Sequence, residues 1–215
     1  MMMRNHFAIA IGLVLACGLA GAASAQFFLP DWELSTAQRT YAGPEMVSVM
    51  HVPDGSGDPF AAAQLPGGAG SVDATIVVTL VDPVGNPVQG YPAEDVWVEA
   101  ADGGVAYCAG GNFADGPTDA SGVTTFTGAR RGGGSSESLL LVYVSGVALT
   151  SNAGLAITSN SPDLNGDGTV NLVDVVTFAG HYGGTYAYAA DLHYDQQINL
   201  ADVVRLAHAW GASCP

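Results

Sequence analysis

Two segments near the carboxyl end of this 215-residue chain are copies of one another. Residues 163–184 (DLNGDGTVNLVDVVTFAGHYGG) align with residues 191–212 (DLHYDQQINLADVVRLAHAWGA) at an offset of 28, without a gap. Identities fall at Asp163/Asp191, Leu164/Leu192, Asp167/Asp195, Asn171/Asn199, Leu172/Leu200, Asp174/Asp202, Val175/Val203, Val176/Val204, Ala179/Ala207 and Gly183/Gly211. Ten matches over 22 positions, with the acids at one shared spacing, do not arise by chance. Any fold for this chain must therefore build one local structure twice.

In the first copy, Asp163, Asn165 and Asp167 take loop positions 1, 3 and 5, so alternate side chains can converge on one point. Gly168 at position 6 permits a sharp backbone turn. Thr169 at 7 offers its carbonyl, Asn171 at 9 a side chain or a bridging water, and Asp174 at 12 a closing carboxylate. Such an oxygen-rich shell without sulfur suits a hard cation, and its spacing matches the EF-hand calcium loop. Val170 at position 8 is apolar, as back-to-back pairing of two loops requires, with Ile198 as its counterpart. All six acidic residues between Ser161 and Pro215 sit at position 1, 5 or 12 of one loop or the other, where a solvated surface would scatter its charge. Without a cation, three carboxylates in one loop repel each other by on the order of a kcal/mol per pair. Asx-turns in a Gly/Asn-rich loop are the alternative account. The second copy offers Asp191, His193, Asp195, Gln197, Asn199 and Asp202. His193 brings nitrogen where calcium favours oxygen, and Gln196 replaces glycine at the turn. Calcium is thus expected at two sites of unequal strength, the first firm and the second weaker.

Val175, Phe178, Ala179 and Tyr182 recur at three- and four-residue spacing, as do Val203, Leu206, Ala207 and Trp210. That periodicity predicts a helix after each loop, ending at Gly183 and Gly211. A duplicated loop–helix unit lacking the entering helix resembles the dockerin type I module of cellulosomal proteins. The resemblance covers Asp163 to Gly211, strongly in the first copy and partly in the second. It implies calcium-dependent folding and docking onto a cohesin-like receptor. It also places partner choice at loop positions 10 and 11, here Leu172, Val173, Leu200 and Ala201, an apolar set where well-known members carry hydroxyls. Basic residues frequent later on the family's helix are absent, Ala179-Gly180 and Ala207-His208 standing there instead. Leu172 and Leu200 have a second reading, in which they pack inward.

Upstream the chain reads as β. Residues 74–81, 96–100, 123–127 and 139–144 are apolar or β-branched runs separated by Gly/Pro/Asp turns, among them Pro83 to Val88 and Asp119 to Gly122. Residues 45–52 alternate with period two, as a half-buried strand does. Short strands with regular turns and no helical periodicity predict an antiparallel sandwich. Gly85-Asn86-Pro87-Val88, a strand, and then Thr118-Asp119-Ala120-Ser121-Gly122-Val123-Thr124 resemble bacterial immunoglobulin-like domains of the invasin/intimin sort, a likeness that implies a fold and not a chemistry. Gly132 to Gly134 reads as a hairpin loop, or else a linker. The expected fold class is an all-β immunoglobulin-like sandwich plus a small all-α, dockerin-like C-terminal domain of duplicated EF-hand-type loop–helix units. Its divisions are a signal peptide at 1–25, an N-terminal segment at 26–71 adding strands to the sandwich, the sandwich at 72–158, and the calcium-binding domain at 161–215.

Composition narrows the function. Twenty Asp+Glu against five Lys+Arg give a formal charge of −15, and all five basic residues are arginine. No cationic footprint for nucleic acid exists. The one long apolar stretch, Phe7 to Ala16, has signal-peptide length and is short for a membrane span. Ala23-Ser24-Ala25 predicts cleavage after Ala25 and a secreted, extracellular or cell-surface protein; lipidation at Cys17 is the other export route. The mature chain then keeps Cys108 and Cys214, a candidate disulfide in an oxidising compartment, or two free thiols if geometry forbids bridging. No nucleophile elbow, zinc helix or phosphate loop occurs, and Asp31, Glu33, Glu45, Asp95 and Glu99 form no paired-carboxylate constellation. No catalytic residue is expected. Two functions remain: a non-enzymatic exported attachment or scaffold protein docking through its calcium-loaded tail, or a secreted carbohydrate-binding or carbohydrate-active protein that the tail localises on a polysaccharide. Trp97 and Trp32 are candidate sugar platforms in the second, although a strand Trp such as Trp97 is more often core.

Overall fold

Runs of β-branched residues broken by turn chemistry give many short strands instead of a few long ones. The structure, a computed structural model, describes residues 29–151 and 153–215, so the expected signal peptide lies outside the described residues. In chain order the strands are β1 (Thr36–Arg39), β2 (Val47–Met50), β3 (Ala63–Gln64), β4 (Ser71–Val72), β5 (Ile76–Thr79), β6 (Val96–Ala100), β7 (Val105–Tyr107), β8 (Val123–Phe126), β9 (Gly132–Gly134), β10 (Leu140–Val144), β11 (Val147–Ala148) and β12 (Ile157–Asn160). Two helices follow, α1 (Leu172–His181) and α2 (Leu200–His208). The strands form four small sheets, ordered β1-β5-β8, β11-β10-β6, β12-β2-β3-β4 and β7-β9. The four runs expected as strands are β5, β6, β8 and β10. The turn between β5 and β6 is set by Asp82, whose Oδ1 accepts from the backbone N–H groups of Val84 and Asn86.

Two features depart from an immunoglobulin-like sandwich. The sheets number four, and β12 runs parallel to β2, pairing Ile157 with Val47 through Asn160 with Met50. Parallel neighbours need a long crossover, here nearly the whole β region between residues 50 and 157. Val47, Val49, Phe60, Ile76, Val78, Leu80, Phe126, Leu140 and Ile157 lie at the centre of the main core, all essentially inaccessible.

The C-terminal segment is not the all-α domain expected from the repeat. Its only α-helices among the described residues are α1 and α2, ten and nine residues long, and the rest is a short 3-10 turn at Tyr188–Ala190, loop and turn in a molecule that is mostly β-sheet. Helices this short bury too little on their own. Their second apolar core is completed from the sandwich: Met50 and Val52 join Val170, Phe178, Ala190, Leu192 and Leu206. Strand β2 thus alternates between two cores, with Val47 and Val49 in one and Met50 in the other. All four of its residues are buried, so residues 45–52 are not half-exposed. The face that would meet solvent meets the tail.

Polar contacts reinforce the junction. Ser48 Oγ and Tyr188 Oη share a buried hydrogen bond of 2.8 Å, Asn160 Nδ2 donates to the Asp191 carbonyl at 2.7 Å, and Arg205 Nη1 pairs with Asp58 at 2.8 Å. Cys108 and Cys214 are disulfide-bonded, with Cα atoms 5.6 Å apart, tying the end of the chain to the turn after β7. His51, at the end of β2, is sealed between Phe60, Tyr107 and Ser159. Burial, helped by the Arg130 guanidinium, holds its imidazole down to about 3, so it is neutral.

The bridge spans 106 residues, and a loop of that order confines the unfolded chain by roughly 4–5 kcal/mol in the entropic account. Cys214→Ser should therefore lower the unfolding free energy by a few kcal/mol in a guanidinium titration of oxidised protein; an unchanged midpoint would show that the bridge does not constrain the unfolded chain.

Candidate metal centre

Each loop begins where a tail residue touches the sandwich and ends by starting a helix. Asn171 caps α1 and Asn199 caps α2, each accepting from the backbone N–H two residues on. Asp174 and Asp202 complete reciprocal capping boxes, so position 12 of each loop is also the third residue of its helix. One carboxylate there does two jobs, closing the loop and satisfying helix N–H groups.

The two loops share one hydrogen-bond plan. Asp163 accepts from the N–H groups of Asp167 (3.2 Å) and Gly168 (2.8 Å), and Asp191 from those of Asp195 (3.0 Å) and Gln196 (2.8 Å). Asp174 accepts from Asn165 N and Asn171 N; Asp202 accepts from His193 N and Asn199 N. Asp163, Asp174, Asp191 and Asp202 are each 0% exposed. Among the described residues the ion pairs are Arg130–Asp115 and Arg205–Asp58, and neither reaches a loop. Four buried carboxylates without an internal counter-charge, in an all-oxygen donor set, fit a hard divalent cation. Burial pushes the Asp163 and Asp191 carboxyls above the usual range, and neighbouring acids add to it.

The loops differ at position 5, and in the opposite sense to their expected ranking. Among the described residues, the group of three carboxylates whose oxygens lie within 4.8 Å of one another is Asp191, Asp195 and Asp202, in the second loop. In the first loop Asp167 is exposed and takes a 2.8 Å bond from Asn165 Nδ2 at position 3. His193 replaces that amide in the second loop, and Asp195 instead accepts from Asn199 Nδ2 at 2.9 Å, which draws it over the loop. The His193 side chain is not part of the carboxylate cluster and lines a small cavity with Gln64, Leu65 and Arg205. Val170 does not pair with Ile198: its N–H bonds to Ala212 and its carbonyl accepts from Gly211, so the chain terminus flanks the first loop. Of the remaining expected ligands, the Thr169 carbonyl accepts from Asn171 Nδ2, and Gln197 donates its N–H to Asp195.

Sequence reasoning missed the backing residues. Gly132 to Gly134 is neither hairpin loop nor linker but the buried strand β9, paired with β7. Gly134 N donates to the Asp163 carbonyl at 2.6 Å, and any side chain on Gly133 would collide with the Asp163 carboxylate. A strand without side chains is what lets the first loop seat directly on the sandwich. Gly68 approaches Asp195 in the same way, and Tyr186 Oη donates to Asp191 Oδ2 at 2.9 Å. Gly132-Gly133-Gly134 was the visible signal for the first contact; nothing in the local pattern marked Tyr186.

The partner-facing expectation has a definite placement. Leu172 and Val173 are exposed, as is Leu200, while Ala201 is half-buried. Leu172 and Leu200 do not pack inward. Outside the tail, His51 and Ser159 form one Ser–His contact of 3.0 Å, but both are 1% exposed and out of reach of a solute. Comparison with protein-family models, with curated proteins and with solved structures finds no match to this chain.

The second loop reproduces the first loop's backbone at a cost. Gly166 and Gly168 have φ of 71° and 87°, and their counterparts Tyr194 and Gln196 have 53° and 67°. A side chain in that left-handed region costs roughly 1–2 kcal/mol, offset in part by the extra unfolded-state entropy of glycine. Gln196→Gly is expected to raise stability by about 1 kcal/mol, read from the denaturant midpoint at constant slope; a destabilised variant would mean that the loop relies on the Gln196 side chain.

Proposed function

We propose that this chain is an exported, non-catalytic attachment protein whose C-terminal repeat binds calcium at two loops and docks a protein partner through an apolar face. The observation that carries the docking half is matched exposure. Leu172 and Leu200, equivalent in the repeat, are 64% and 67% exposed, and the next equivalent pair, Val176 and Val204, stand at 65% and 46%. A shallow groove lined by Val175, Val203, Leu206, Ala207 and Trp210 lies between the helices. Apolar side chains left exposed at the same positions of two helices are of the kind that marks a protein interface. The dockerin resemblance assigns partner choice to Leu172, Val173, Leu200 and Ala201, with a cohesin-like receptor as the partner class and an apolar counter-surface in place of hydroxyl contacts.

Calcium is supported by the donor chemistry: carboxylates at positions 1, 5 and 12 of both loops, and buried carboxylates that no ion pair among the described residues reaches. Bound there, the ion would supply the positive charge that the buried carboxylates of Asp163, Asp174, Asp191 and Asp202 lack within the protein. The loops in turn start α1 and α2, so the ion holds the apolar face in shape. Export is supported by the Cys108–Cys214 bridge, which persists in an oxidising compartment. In the second function, a carbohydrate-directed protein, the sandwich would meet the glycan and the tail would only localise it.

Calcium titrated into chelator-stripped full-length protein should release saturable heat, and a hundredfold excess over Kd should add about 2.7 kcal/mol of stability per site. Asp191→Ala should remove at least as much of that gain as Asp163→Ala. No heat and no stabilisation would overturn the calcium reading. Purified cohesin domains, followed by biolayer interferometry, test docking: binding should require calcium and vanish in the double variant Leu172→Asp/Leu200→Asp, whose melting temperature should be intact because both sites are exposed. Calcium-independent or absent binding would overturn the docking reading.

A further inference from the structure

The sheet that contains β6 carries aromatic side chains that neither apolar core absorbs. Trp97 was expected in the core, yet it is half-buried and absent from both apolar clusters, because Val96, Val98 and Ala100 take the inward positions of β6. Its neighbours across the sheet are also aromatic. Tyr143 on β10 pairs with Trp97, and Phe113 bridges it on the other side. The Tyr143 ring lies parallel to the indole, 8° between planes with centroids 5.7 Å apart. An open cleft of about 660 Å³ runs beside Trp97, lined also by Tyr107, Phe113, Asn112, Glu94 and Glu99. Tyr143 covers one face of the indole and is not part of that lining.

The geometry points to a neutral saccharide as the occupant. A pyranose ring presents a patch of C–H groups on one face and hydroxyls around its rim. The indole of Trp97, which lines the cleft, meets the first requirement. Glu99 meets the second: its Oε1 accepts the indole N–H at 2.8 Å, which fixes the ring and leaves Oε2 to accept a sugar hydroxyl. Glu94 stands exposed in the same lining as a further acceptor. No Lys or Arg lines the cleft, so an anionic polysaccharide or a phosphate has no counter-charge there. The lining also includes Cys108, held by its disulfide, which braces the wall opposite Trp97. A cleft of this volume, part apolar and part polar, is of the size that binds small ligands.

The test uses the full oxidised chain with calcium and three neutral probes: cellohexaose, xylohexaose and mannohexaose. Calorimetry should show saturable binding of at least one, with Kd of about 1 mM or tighter. Trp97→Ala should weaken it by about tenfold or more, whereas Trp97→Phe, which keeps a stacking ring, should retain most of it. Equal melting temperatures for the two variants separate a lost contact from a lost fold. Silence from all three probes, or binding that survives Trp97→Ala, overturns the inference. So does tetramethylammonium binding the cleft in place of sugar, because the rings would then be serving a cation. The outcome is independent of the repeat, whose calcium response is read on the same samples.

Discussion

Strand β2 lies between two apolar cores, and much of the molecule follows from that position. Period-two alternation sends Val47 and Val49 to one side and Ser48 and Met50 to the other. In an ordinary two-layer protein one of those sides is solvent. Here both are packed, and burial of each large apolar side chain is worth roughly 1.5–3 kcal/mol. The parallel partner β12 leads straight from that junction into the first loop, since Asn160 ends β12 and Asp163 opens the loop. The tail is therefore continuous with the sandwich in packing as well as in sequence, and the disulfide and the Arg205–Asp58 pair close its far end.

Charge burial is the strongest physical constraint on the repeat. Four aspartates buried without a basic partner are costly as bare ions, and hydrogen bonds from loop N–H groups offset only part of that cost. The same aspartates cap α1 and α2. A cation in each loop would thus couple charge balance, helix initiation and the position of the exposed leucines in a single step. That coupling is the physical content of the proposed calcium-dependent docking, and it explains why the two copies keep their acids while diverging at Gly168/Gln196 and Asn165/His193.

Local features of the sequence carried over to the structure far better than global ones. The strand runs, the Asp82 turn and the two helices are properties of a few adjacent residues, and each falls in the stretch its pattern marked, although the helices end at His181 and His208, before Gly183 and Gly211. The convergence of Asp191, Asp195 and Asp202 was legible for the same reason: alternation over a dozen residues is enough to aim side chains at one point. The all-α tail was not, because periodicity reports which face of a helix is apolar and not what covers it; Met50 and Val52 supply that cover from more than a hundred residues away. Ligand type alone did not indicate which loop gathers its three carboxylates most closely, and that is the second. Replacing Asn165 by His193 removes a competitor for the position-5 carboxylate, an effect that only the three-dimensional hydrogen bonding displays. Gly132 to Gly134 shows the converse, since a run that composition marks as flexible is held as buried strand by a close approach that needs its missing side chains.

Because β2 serves both cores, sandwich and tail should unfold as one body whose stability is set partly by the ions in the loops. Differential scanning calorimetry of the full oxidised chain, with calcium and after exhaustive chelation, examines that directly. The structure predicts a single transition that shifts downward as a whole when calcium is removed. Two separate transitions, with only the lower one responding to chelation, or one transition indifferent to calcium, would contradict it.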